Sequence, residues 1–292
     1  MNDGKTFGFF PEAIDLRFGP ISISTLDDFD NSLKQIQSHP DCSNGWIYAA
    51  SQKSYDFLQQ RETECPYPAR VFGLPHTHSI RHEKAAPNEY LDFLIWAIAF
   101  FVGCRLTSTE AGFLDATPVQ RGRMLDFYIP TNQLGKFIEL AENFWHQNKD
   151  TKRQTKRVCA AIHTLFLAGN PRLLPFESFT FAYITLDTCF KMMSEGECNV
   201  PNKHRERVNW MCEKINLAPV SWDLYKVRND TFHEGLYFTE PLGFSTGPPG
   251  NISLTMKMRN LACRLLMSIF GCQDQTYLTS NPEDRQQHLL II

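Results

Sequence analysis

The sequence predicts a mainly α-helical protein, in which a helical bundle over residues 151–292 follows a mixed α/β domain over residues 1–150. Three observations predict it. Beyond residue 150, apolar side chains recur at helical spacing in five successive segments. The first 85 residues instead carry short apolar runs broken by turn residues such as Pro40-Asp41 and Ser43-Asn44-Gly45. Between the two lies 148–157, ten residues without a hydrophobic side chain, where the character of the chain changes.

Composition sets the bounds. Of 292 residues, 42% are hydrophobic, with 23 Phe and 5 Trp, enough to fill a core and to exclude wholesale disorder. The net charge of −3 excludes a diffusely basic nucleic-acid coat but not a local basic groove. Nine cysteines with no Cys-x-x-Cys pair make neither a disulfide framework nor a zinc knuckle, and fit a reducing compartment. The longest apolar run, 93–102, is far short of the roughly 20 residues that cross a bilayer. The N-terminal MNDGKTFGFF holds no signal-peptide stretch. A cytoplasmic protein without membrane contact is the expectation.

In the first half, Ile21-Ser22-Ile23-Ser24 and Gly45-Trp46-Ile47-Tyr48 read as strands. A helix is expected over 88–106, a strand over 124–130, and a helix over 132–146 with Leu134, Phe137, Ile138, Ala141 and Trp145 on one face. In the second half the first helix covers 156–168, where Gly169-Asn170-Pro171 stops it. The second covers 176–194 and the third 203–216. The fourth runs 222–234, with Ser221 as N-cap and Gly235 past its end. After a Gly/Pro loop (243–250), the last covers 253–270, with Leu254, Met258, Leu261, Leu265 and Ile269 on its stripe. The tail beyond Gly271 has no periodicity that assigns it to an element.

The fourth helix carries the chemistry. Arg228 and His233 stand five apart, with Asn229 next to the arginine. An Arg-x4-His spacing alone arises by chance roughly 0.5 times in this composition. Requiring Asn, Asp or His after the arginine lowers that to roughly 0.07. The sequence Arg228-Asn229-Asp230-Thr231-Phe232-His233, late in a helix of an all-helical region, resembles the Arg-polar-x3-His motif of HEPN domains. The resemblance covers the last ~140 residues, and residues 1–150 resemble nothing recognised. It implies a HEPN-like bundle and a metal-independent RNA endonuclease needing no cofactor. Its site would be composite, two motifs meeting across a homodimer. It also implies a toxin or antiviral defence effector, with a regulatory or antitoxin protein as further partner. The N-terminal domain would then sense, select substrate or bind a partner.

The residue types suit that chemistry. RNA is cleaved without metal when its 2′-OH attacks the adjacent phosphorus, which requires a proton acceptor, a proton donor for the leaving 5′-oxygen and a cation for the phosphorane. Histidine serves either proton role and arginine offers forked donors to phosphate. Asn229 and His233, at i and i+4, share a face, so Asn229 would hold the imidazole or contact phosphate. On a straight α-helix Arg228 and His233 diverge by roughly 140°, which argues for a second motif from a partner copy. The negative end of the helix, with Asp230 and Glu234, leans His233 towards proton donor. The plainer reading is that Arg228 pairs with Asp223, Asp230 or Glu234 and that the bundle binds RNA, a nucleotide or a partner protein without cutting.

Lys152, Arg153, Lys156 and Arg157, and Lys203, Arg205 and Arg207, are solvated faces or local RNA contacts. His76, His78 and His82 offer a second alternative, a metal-dependent hydrolase, with His76 and His78 on one side of a strand. Phosphate-loop, dinucleotide and Gly-x-Ser-x-Gly motifs do not occur in the sequence.

Overall fold

Hydrophobic period decides both halves, two in the first and 3.6 in the second. A computed structural model describes residues 4–84, 86–109, 113–114, 116–222, 224–236 and 254–291. The chain is mixed α/β and predominantly helical, at 45% helix against 18% strand. It divides into two units, one reaching Met124 with Asn170–Arg172 added, the other Leu125–Gly169 with Leu173 onward. The division thus falls before the polar stretch at 148–157, and the helix expected at 132–146 belongs with the helical unit.

In chain order the first unit contains β1 (Gly4–Phe7), β2 (Leu16–Phe18), β3 (Ile21–Thr25), α1 (Phe29–Gln37), β4 (Cys42–Ser43), β5 (Trp46–Tyr48), β6 (Ser51–Asp56), β7 (Arg61–Pro68), β8 (Val71–Phe72), β9 (His78–His82), α2 (Asn88–Val102), β10 (Phe113–Leu114) and β11 (Ala116–Pro118). Alternation puts Ile21 and Ile23 on the covered face of an antiparallel sheet of order β1-β9-β3-β2, opposite His82 and Ile80 of β9. Phe9, Ile36, Ile47, Leu74 and Val119 close a core cluster. Helix α2 is buried almost all round, as its unbroken apolar run requires. It stops at Val102, four residues short of the expected 106. Gly103 takes the left-handed conformation (φ 66°), and the Cys104 N–H donates to the Ala99 carbonyl, closing the end. Among the described residues no helix is long and apolar enough to cross a membrane.

The second unit contains β12 (Phe127–Tyr128), α3 (Leu134–Gln147), α4 (Lys152–Ala168), α5 (Pro175–Met193), α6 (His204–Lys214), α7 (Leu224–Asn229), α8 (Leu254–Ile269), α9 (Gln275–Leu278) and β13 (His288–Leu289). Helix α5 packs against α4, α6 and α8. The stripe Val158, Ala161, Ile162 and Leu165 of α4 is fully buried, as are Met258, Leu261, Leu265 and Leu266 of α8. Helix α4 starts at Lys152, four residues before the sequence pattern, because Lys, Arg and Gln are good helix formers even where no stripe announces them. Ser253, the expected start of α8, and the loop 243–250 lie outside the described residues. The strand expected over 124–130 shrinks to Phe127–Tyr128. It pairs in parallel with β13, so the unassigned tail is held against β12.

Beside that pair, Arg264 is fully buried. It bonds Asp126 and donates through Nε to the Ser280 carbonyl (2.9 Å), while the Tyr277 hydroxyl donates to Asp126 (2.8 Å). The buried charge is thus paired and its donors are used.

The expected fourth helix is the largest departure. Its α-helical part is only Leu224–Asn229, and Asp230–Glu234 continue as one π-helical turn. Ser221, the expected N-cap, stands three positions before Leu224, and the residue directly before the helix lies outside the described residues. Gly235 (φ 63°) closes the turn, with its N–H and that of Leu236 both donated to the Asp230 carbonyl.

Candidate functional site

A π turn carries one residue more per turn than an α turn, so side chains at i and i+5 come to lie over one another. Arg228 and His233 have that separation. The 140° divergence expected from a straight helix therefore does not arise. Arg228 Nη1 lies 2.5 Å from His233 Nε2, and also donates to Asn229 Oδ1 (3.0 Å). Asn229, expected to hold the imidazole or to contact phosphate, accepts from the guanidinium. Arginine has no acceptor, so His233 Nε2 accepts in this arrangement and its ring carries its proton on Nδ1.

Phe232 pins the turn. Its ring sits 6.1 Å from Phe179 and 6.0 Å from Tyr183, centroid to centroid, on the face of α5. Tyr183 lies close enough to Arg228 to feel its charge. Burial raises the Tyr183 phenol above its usual range, and the Arg228 charge partly offsets this. Of the partners weighed for Arg228, Asp223 lies outside the described residues. Among the described residues the groups bonded to the guanidinium are Asn229 and His233.

A second polar group adjoins the first. Tyr183 Oη is 3.2 Å from Nδ1 of His204, the first residue of α6, and Arg207 Nη1 is 3.3 Å from the same nitrogen. Arg207 also donates to Asp187 (3.0 Å) and lies over the Phe190 ring. Burial, then the charges of Arg207 and Arg228, hold His204 below the usual histidine range, while Asp187 pulls the other way. His204 is therefore neutral near pH 7. The Nε atoms of Arg228 and Arg207 are buried without a hydrogen-bond partner among the described residues. Tyr183, His204 and Arg207 also line a small cleft of about 90 Å³, shared by α5, α6 and the approach to α7.

Tyr183, Asp187 and His204 were not legible as site residues. Tyr183 fits the core spacing of its helix, and His204 sits inside a basic run. Only the packing of α5 on α6 brings them to Arg228. The basic residues divide. Lys203 and Arg205 are exposed and face Glu206 (4.0 and 3.6 Å), beside His204 and the cleft. Arg157 is taken up by Glu195 (2.5 Å), where it links α4 to the end of α5. Lys152, Arg153 and Lys156 are exposed on the first turns of α4.

His76, His78 and His82 share no site. His78 is fully buried, its ring within 5.7 Å of Phe7, Phe10 and Phe29, and burial pushes it down to about 4. His76 contacts Thr6, and His82 meets the Lys84 carbonyl. Only His78 and His82 are on β9, so the expected pairing of His76 with His78 on one strand does not occur. No group of three His, Cys, Asp or Glu that could hold a metal is formed among the described residues. No family model, curated protein or solved structure matches this chain.

Proposed function

We propose that residues 151–292 form a HEPN-like bundle and that the chain is a metal-independent RNA endonuclease acting through Arg228, Asn229 and His233. The observation that carries this reading is the π turn, which joins a guanidinium to an imidazole on one exposed turn. A substrate phosphate is a better acceptor for arginine than a neutral imidazole is. RNA binding therefore draws Arg228 onto the scissile phosphate and releases His233 Nε2. The freed nitrogen takes the 2′-OH proton as O2′ bonds to phosphorus, the P–O5′ bond breaks, and Arg228 balances the charge on the phosphorane oxygens. Asn229 keeps the guanidinium oriented. The resting contact thus casts His233 as base, where helix polarity alone leaned towards donor. The proton for O5′ comes from the matching imidazole of a second copy, which enters the step as imidazolium and leaves it neutral, in a homodimer with a composite site. A toxin or antiviral effector in the cytoplasm, restrained by a regulatory or antitoxin protein, is the setting that fits such an activity.

The test is cleavage of total RNA in EDTA by the purified chain. Wild type is expected to produce fragments ending in 2′,3′-cyclic phosphate, and folded Arg228→Ala and His233→Ala variants to produce none. Intact RNA with all three, alongside measurable RNA binding, would favour the second reading, a bundle that binds without cutting. That reading draws on the mutual engagement of Arg228 and His233.

A further inference from the structure

We propose that β6 is a dimerisation edge, at which it pairs antiparallel with the same strand of a second copy, Ser54 facing Ser54 across a two-fold axis. The proposal stands apart from the nuclease reading and from the composite site of the helical unit. Strands β6 and β7 form a ribbon with no third strand among the described residues, and their substantial packing is on each other. Side chains on both faces are largely exposed, and a ribbon of this kind alone is marginally stable in water. Its turn is nonetheless fixed, because the Asp56 carboxylate accepts from the N–H groups of Leu58 (2.9 Å) and Gln59 (3.1 Å).

The two edges differ. Pro66 and Pro68 deprive β7 of donors, and the register shifts beside them between Ser51 and Lys53, so that edge is blunted. Strand β6 has no proline, and every second N–H and C=O points outward from it. Such an edge is a template for a further strand. Tyr55 (51% exposed) and Phe57 (83%) lie towards its end, their rings 5.1 Å apart.

Two features choose the occupant. The ribbon carries Lys53 and Arg61 against Asp56, Glu62 and Glu64, with Lys53 facing Glu62 at 3.6 Å, a balance unsuited to nucleic acid or an anionic membrane. Strand β6 is also complementary to itself. Antiparallel pairing about Ser54 sets Lys53 opposite Tyr55 of the second copy, and Gln52 opposite Asp56, each twice by symmetry. A cation meets a ring, an amide meets a carboxylate, and no like charges oppose.

The test is disulfide trapping of the full chain with copper phenanthroline. Opposed Cα atoms of an antiparallel pair lie roughly 4.5–5.5 Å apart, within the reach of a disulfide. Ser54→Cys is therefore expected to give a covalent dimer that dithiothreitol reverses. Arg61→Cys, exposed but on the far strand, and wild type with its own free cysteines are expected to give about tenfold less. Two charge variants made on Ser54→Cys read the register. Gln52→Asp opposes carboxylates twice and is expected to slow trapping about fivefold, whereas Gln52→Lys, facing Asp56, keeps or raises the rate. Circular dichroism checks that each variant is folded. Equal trapping in Arg61→Cys, or equal rates in the two Gln52 variants, would overturn the proposal. So would a Ser54→Cys chain that forms no dimer, which would leave the edge to a strand of another protein. Trapping is read without RNA, so its outcome is independent of whether the chain cuts RNA.

Discussion

Arg228 and His233 were chosen from their spacing, and a single hydrogen bond between them makes the spacing chemically meaningful. Removing either is expected to lower RNA cleavage by about 100-fold or more, the usual scale for a proton-transfer or charge-stabilising group. Steady-state cleavage rates check this. Arg228→Lys is expected to recover little, because a lysine has no planar fork to serve Asn229 and a phosphate together. The motif could be read because its members are contiguous. Tyr183 and His204 could not, since they stand 21 residues apart on two helices and meet only when α5 and α6 pack. No local pattern encodes that meeting.

Elements whose stripe is long were legible: α4, α5 and α8 lie close to where apolar periodicity puts them. The π turn was not, because one extra residue in five leaves too short a record in the hydrophobic pattern to shift its period. The turn depends on Phe232, a 42% exposed aromatic whose ring rests on α5. Phe232→Ala is expected to lose roughly 0.5–1.5 kcal/mol of ring contact. Its larger effect is on the register of His233 over Arg228. Cleavage should fall at least tenfold while the melting temperature moves by only a few degrees; an unchanged rate would mean that the turn is held by other contacts. The shortened α2 and the two-residue β12 are similar cases, set by the left-handed Gly103 and by a distant tail strand, neither of which alters the stripe.

Across the whole molecule, two buried polar groups connect sequence to stability. His78 sits in an aromatic box, lowered from 6.5 to about 4 by burial. A histidine depressed in the folded state opposes folding once it must be protonated. Stability is thus unaffected above pH 6.5 and falls by ~3 kcal/mol as pH drops from there to about 4. Denaturant melts across that range should show the loss in wild type and a smaller slope in His78→Phe. Asp126 answers the buried Arg264, so Asp126→Ala leaves an uncompensated charge and is expected to cost about 3–5 kcal/mol, read in the same melts. Arg264 lies within α8, and its partner is in another element and could not be inferred from spacing. The central claim is that this chain cuts RNA through Arg228 and His233, and the most direct measurement is a time course of single-stranded RNA with the purified protein in EDTA. Fragments bearing 2′,3′-cyclic phosphate, absent from a folded His233→Ala variant, are the predicted result. Cleavage that survives in His233→Ala, or that vanishes for wild type in EDTA and returns with a divalent metal, would contradict it.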